Sequence, residues 1–380
     1  MSEDDARDLK ARALAGDPSA QIAMGMSAIR TWTPEGGAEG LAWFRKGAEQ
    51  GHAPAAVHLG VFLTRRGNAC LRGRVKSDDP VAEAEALFRE AARYDYGPAQ
   101  YSLARLLTRP GRSENEKSEA EEWFARAVER EEPRAQRRLG LQAARATPPD
   151  YQTAHLWMGK AAEQDDPVAL RWLGIAFDEG LGVEKDAAEA ARLYLKAAEE
   201  GDREGAFRIG LALQFGTGIE RDPVEALEWY EAAADAGHAR ASFNLAAMLS
   251  EGALVPRDIA RAIEAYKRAA EAGETRALVN LGNLHVRGDG VPRDDAEAAR
   301  CFAQAVESGD ARAAYHLALL HIHGRGVAKD LVEARSLLLF ACRDPHPTFR
   351  DVLDDLDRVL DDATKNEAAA RARDRWGALH

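Results

Sequence analysis

Three pairs of residues set out the chemistry open to this chain. Arg240 and Asn244, Arg276 and Asn280, and Arg312 and His316 each stand four residues apart, and the pairs recur every 36 residues. Arg208 holds the second position one interval earlier, after Glu204, and Arg134 with Arg138 fills both positions further upstream. A spacing of four puts both members of a pair on one face of a helix. Guanidinium forks suit carboxylates and asparagine suits peptide backbone groups, so the chemistry is recognition rather than bond breaking. The ligand expected is an extended segment of a protein or peptide partner, acidic or C-terminal. Packed helices lie ~8–10 Å apart, so four such rungs would follow roughly eight residues of it. Phe207, Phe243 and Tyr315, each one residue before a second member, are expected to add apolar contacts. The opposing reading has these arginines pair only with acidic residues of adjoining helices, at ~0–1 kcal/mol each.

Other reactive residue types lead nowhere catalytic. His285 and His321 lie 36 residues apart with no third ligand in sight, so they are expected to fill an aromatic packing slot. Cys301 falls in the register of Leu193 and Trp229, and Cys342 in that of Ala198, which makes both small core hydrophobes. Cys70 lies in a basic, glycine-containing insertion, 65–77, where incidental exposure is expected and where it is the one thiol placed to react. Pairs such as Gly216 and Gly218 lack the preceding strand and the Lys-Ser/Thr of a phosphate loop. No nucleophile elbow or His-Glu-x-x-His occurs, so neither catalytic residues nor metal nor cofactor are expected.

The elements that must position the pairs are written in the same period. Asp186, Asp222, Asp258, Asp294 and Asp330 recur every 36 residues, each followed four positions later by alanine. Gly201, Gly237, Gly273 and Gly309 keep the same step. Within 205–238, Ala206, Ile209, Gly210 and Leu213 mark one helix, and Gly216 and Gly218 break it. Asp222 then caps a second helix that buries Ala226, Trp229, Tyr230 and Ala233. Asp-x-x-Glu, as at Asp222 and Glu225, resembles a capping box. Neither helix can hide its apolar stripe alone, so the units must stack.

Leu-Gly, Gly-x-Gly, the capping aspartate, paired aromatics and Ala-Ala-x-x-Gly together resemble the Sel-one-like repeat family, relatives of tetratricopeptide repeats. The fold expected is all-α: a right-handed α-solenoid of about nine stacked helix-turn-helix repeats with a period of about 36 residues. Units begin near residues 20, 55, 99, 135, 169, 205, 241, 277 and 313. Residues 1–19 read as an N-terminal capping half repeat, 20–164 as divergent repeats, 165–342 as regular ones and 343–380 as a C-terminal capping helix and tail. The cap is a stripe of Phe349, Val352, Leu353, Leu356, Val359 and Leu360; residues 364–380 are expected to fray. In the tetratricopeptide relatives the first helices line a concave groove. The resemblance therefore implies a non-catalytic scaffold or adaptor, regulatory in role, that holds its partner there. It also brings two alternatives: a β-lactamase-like hydrolase, as proposed for cysteine-rich relatives, or an inhibitor masking a signalling enzyme. The regular cysteine pairs of those relatives and a serine-lysine motif are both missing from this chain.

Composition agrees with binding to protein. A net charge of −12 argues against a nucleic-acid or anionic-membrane partner. No apolar run approaches the ~20 residues of a membrane span, and the acidic N-terminus does not read as a secretory signal. Three scattered cysteines do not make a disulfide framework, so the compartment expected is the cytoplasm.

Overall fold

The computed structural model describes residues 3–30, 34–75 and 77–377; Lys76 of the insertion and the outermost residues of both caps lie outside them. The described residues form twenty-one α-helices and no strand. After α1 (Glu3–Leu14) come nine antiparallel pairs. They are α2 (Pro18–Ile29) with α3 (Pro34–Glu49), α4 (Ala53–Leu71) with α5 (Pro80–Arg93), and α6 (Gly97–Leu107) with α7 (Glu114–Glu129). Then follow α8 (Pro133–Ala144) with α9 (Tyr151–Ala162), α10 (Pro167–Glu179) with α11 (Ala187–Glu199), and α12 (Arg203–Phe215) with α13 (Pro223–Asp235). The last are α14 (Ala239–Glu251) with α15 (Ile259–Glu271), α16 (Arg276–Arg287) with α17 (Asp295–Glu307), and α18 (Ala311–His323) with α19 (Leu331–Ala341). Two helices close the chain, α20 (Pro347–Val359) and α21 (Asp362–Trp376). They group into two compact units, residues 1–169 and 170–380.

In the regular repeats each second helix starts where its aspartate says it should. Asp222 accepts hydrogen bonds from the amides of Val224 and Glu225, both at 3.0 Å, and Asp186 and Asp294 repeat the arrangement. The expected glutamate half of the box is formed only by Ser113 and Glu116 among the described residues. Elsewhere the glutamate turns outward to another side chain: Glu189 to Arg192, Glu225 to the Trp229 indole, Glu333 to Arg371 and Arg375. Gly216 ends α12 in the left-handed region, φ 74°, its amide bonded to the Ala212 carbonyl. Gly218, φ 72°, lies so close to the preceding repeat that a Cβ there would sit 1.9 Å from the Ala187 carbonyl oxygen. The second glycine of the loop is thus a contact between repeats as well as a turn.

In residues 1–169 the core runs through Leu59, Leu63, Phe88, Leu103, Leu107 and Phe124. In residues 170–380 one cluster runs from Ile209, Leu213 and Tyr230 through Tyr266 to Leu281, and a second joins Phe302, Leu317, Leu337, Phe349 and Leu353. Three expectations change. Residues 65–71 continue α4, so this first helix is unusually long and Cys70 is 1% exposed in the core, not accessible. Residues 364–376 do not fray: α21 packs on α19, burying Ala368 and Ala372, while Trp376 stacks on Phe340 at 4.7 Å. Arg371 and Arg375 both reach Glu333, which pins the helix across the last repeat. Val359, at the end of the expected stripe on α20, is exposed.

Candidate functional site

The three arginines Arg240, Arg276 and Arg312 stand at the first or second position of α14, α16 and α18, close to the residue that caps the helix. A carboxylate two residues earlier neutralises two of them. Arg276 makes a bidentate pair with Glu274 at 2.7 and 3.0 Å, and Arg312 lies 3.7 Å from Asp310. Arg134 does the same with Glu132 at 2.5 Å. The opposing reading of the ladder was ion pairing with adjoining helices; the pairing seen is local, to the helix start.

Arg240 differs because its cap is a histidine. His238 Nδ1 accepts the Ala241 amide at 3.1 Å, so the ring proton sits on Nε2 and is donated to Glu204 at 2.8 Å. That donated bond holds the Glu204 carboxyl down to about 2, with Arg208 assisting. No carboxylate forms an ion pair with Arg240 among the described residues. Its guanidinium instead lies over the Phe207 ring, 4.9 Å from the centroid, as Arg276 lies over Phe243 at 4.5 Å.

The second members turn inward to the preceding repeat. Asn280 Nδ2 donates to the Tyr266 hydroxyl at 2.9 Å. Asn244 holds the matching position beside Tyr230, whose hydroxyl donates to Gln214 Oε1 at 2.7 Å. Arg208 reaches the Tyr194 hydroxyl at 3.5 Å while pairing with Glu204 at 3.0 Å. His316 meets a phenylalanine in that slot and stacks on Phe302, centroids 5.1 Å apart; burial lowers its pKa. Each hydroxyl is buried, and burial pushes the Tyr230 phenol up to about 12. These four side chains form seams between repeats, and only part of their hydrogen-bonding capacity faces out. Phe207, Phe243 and Tyr315 are likewise not free contacts: Phe207 is 2% exposed, and Tyr315 stacks on Phe349 at 4.7 Å.

The same cassette is what the family comparison detects. The Sel1 repeat model matches residues 18–52, 97–131, 133–166, 167–202, 203–238, 239–274, 275–310 and 311–346. The chain belongs to the Sel1 repeat family. The pair α4–α5, whose first helix is lengthened, is the one helix pair that the model passes over. Among solved structures, a Sel1 repeat protein from Oxalobacter formigenes is 29% identical with a TM-score of 0.53, over 62% of this chain and 95% of that one. A protective antigen of uropathogenic Escherichia coli displaying an SLR fold is 24% identical with a TM-score of 0.45, over 98% and 94%. The cysteine rich protein B of Helicobacter pylori is 24% identical with a TM-score of 0.28, over 34% and 96%. No curated protein matches the chain. Sel1 repeat proteins are generally non-catalytic protein-interaction scaffolds.

The residues of other chemistry fall into place within this Sel1 array. Cys301 is 6% exposed and burial pushes its thiol up to about 11; Cys342 is half-buried at the end of α19. His285 and His321 are half-buried, and the His321 Nδ1 lies 3.1 Å from the Ala328 carbonyl. Among the described residues no three His, Cys, Asp or Glu side chains converge to hold a metal, and no helix is long and apolar enough to cross a membrane.

One feature escaped the reading of the sequence. On α4, α6 and α8, arginines line two cavities of about 210 and 680 Å³ that share Arg134. The signal was present in Arg109 and Arg145, which also lie 36 residues apart at the ends of successive first helices. The proline-containing loops that follow, in place of Gly-x-Gly, hid the register.

Proposed function

We propose that this Sel1 protein is a regulatory scaffold that holds an acidic or C-terminal segment of a partner protein against the first helices α12, α14, α16 and α18. By resemblance to tetratricopeptide repeats that face is the concave one. The observation that carries the reading is Arg240: a cation seated on an aromatic ring, in register with Arg276 and Arg312, on a helix capped by a histidine in place of a carboxylate, so that it makes no ion pair among the described residues. A peptide carboxylate would complete it with a charge-assisted bond. Arg276 and Arg312 would share or exchange their local carboxylates, so they contribute less. Asn244, Asn280, His316 and Arg208 set the spacing of the rungs. Hydrolysis by a thiol finds little support, because Cys70 and Cys301 are buried and burial raises both thiols.

Affinity capture with the intact protein and with Arg240→Glu, read by mass spectrometry, tests the reading. A partner lost on Arg240→Glu and weakened less by Arg240→Ala is expected, since the reversed charge adds repulsion. Binding should also weaken as salt rises. Unchanged capture by a folded Arg240→Glu protein would remove this face from the interaction.

A further inference from the structure

Charge is unevenly spread along the chain. Residues 1–169 carry 24 Lys and Arg against 26 Asp and Glu, whereas residues 170–380 carry 27 against 37. Within residues 1–169 the carboxylates are also unevenly used. Arginines around the second helices are neutralised: Arg89 by Glu85 and Glu119, Arg112 by Glu85 and Glu116, Arg130 by Asp95. On the first-helix side, Arg72, Arg105, Arg109 and Arg145 are exposed and make no ion pair among the described residues. They gather around two neighbouring cavities. Arg72, Arg105 and Arg109 line the smaller and Arg145 lines the larger, and no carboxylate lines either. Arg134, which belongs to both, pairs with Glu132, and Arg137 and Arg138 of the larger pair with Asp166 and Glu121, so the uncompensated charge lies mainly at the smaller cavity. Like charges held together this way repel one another, and an anion seated among them relieves the repulsion.

We propose that this arginine face of α4, α6 and α8 is a second docking surface, which takes an acidic peptide segment of a partner. It uses none of the residues on α12 to α18. Peptide is favoured over nucleic acid by the state of the aromatic rings. Phe88 is 1% exposed, Tyr101 is 8% exposed beneath Arg134 at 5.0 Å, and Phe124 lies beneath Arg138 at 3.6 Å. No ring of the face is open for a base to stack on. Unpaired guanidinium forks match carboxylates, and the amides of Asn68 in the smaller cavity and Gln142 in the larger suit a peptide backbone.

The test uses the full chain and fluorescence anisotropy with three labelled probes: a peptide of about ten residues alternating Glu and Gly, its Gln-Gly counterpart, and a single-stranded oligo-dT of similar length. The Glu-Gly peptide is expected to bind saturably, the Gln-Gly peptide not, and the oligonucleotide more weakly than the Glu-Gly peptide. Arg105→Glu with Arg109→Glu should weaken peptide binding by about tenfold or more, and Arg300→Glu, the same charge reversal on α17 outside both surfaces, should leave it unchanged. Arg105→Gln with Arg109→Gln, which adds no repulsion, should give a smaller loss and serves if the reversed pair fails to fold. Absence of saturable peptide binding, or wild-type binding in both folded double variants, overturns the proposal. Tighter binding of the oligonucleotide would give the face to nucleic acid instead. Loss in Arg240→Glu alone would overturn the second surface while sparing the scaffold reading.

Discussion

The seams between repeats can be rewritten by a substitution the chain already contains. Tyr266 is 2% exposed, and its hydroxyl accepts from Asn280 at 2.9 Å and lies 3.4 Å from the Ser250 hydroxyl. Tyr266→Phe removes that group and strands the Asn280 amide in a half-buried site. A net hydrogen bond contributes ~0.5–1.5 kcal/mol, and water reaches Asn280 only in part, so a loss of about 1 kcal/mol is expected. Asn280→His alone places a larger ring beside an intact tyrosine and should cost ~1–2 kcal/mol through crowding. Together the two changes recreate the next seam, where His316 stacks on Phe302 with 5.1 Å between centroids and 19° between planes. An aromatic pair of this kind returns ~0.5–1.5 kcal/mol. The double variant should therefore be more stable than the sum of the single losses by at least ~0.5 kcal/mol. Urea unfolding followed by circular dichroism, across all four proteins of the cycle, measures this coupling. Additivity within ~0.3 kcal/mol would show that the two positions do not share a seam, and the inward orientation of the second members would have to be given up.

Two further outcomes follow from the same geometry. Gly218→Ala should destabilise by ~2 kcal/mol or more, measured by thermal melting, because a Cβ at φ 72° would meet the Ala187 carbonyl oxygen at 1.9 Å; Gly309→Ala, with φ 88° but nothing within 4 Å, should cost less. The Glu204 carboxyl, held down to about 2 from an ordinary value of 4.5, contributes stability that is full above 4.5 and lost as pH falls towards 2. Glu204→Gln should flatten that part of the acid-unfolding curve, and an unchanged curve would refute the assigned His238 bond.

The stacking of repeats was legible because it rests on residue types that only one local structure accepts. Asp222 reads as a cap, and Gly216 and Gly218 as a left-handed turn, wherever they occur. The orientation of Asn244 and Asn280 was not legible. A spacing of four places two residues on one face, but that face has a rim that is wet and a side that meets the preceding helix. What draws Asn280 inward is a hydroxyl fourteen residues earlier on another helix, and no helical periodicity links the two. The burial of Cys70 was hidden for a related reason. Glycine and arginine around it read as loop, whereas the helix simply continues to Leu71 because Leu63, Gly67 and Cys70 share its buried side. Trp376 did announce something to bury, yet the clamp of Arg371 and Arg375 on Glu333 spans about forty residues and leaves no local trace.

Between residues 167 and 346 every matched repeat has the same length. A recombination event joining any point in one of these repeats to the matching point in its neighbour would therefore keep each aspartate at a helix start and each glycine in its turn. Whole rungs could be gained or lost in this stretch without a change of register, and only the seam at the junction would be new, as where loss of 275–310 sets Tyr266 against His316. A crossover involving the lengthened α4 would have no such freedom, because its two added turns have no counterpart to pair with. Length is thus free to vary where the repeats are uniform, and fixed where one helix departs from the period.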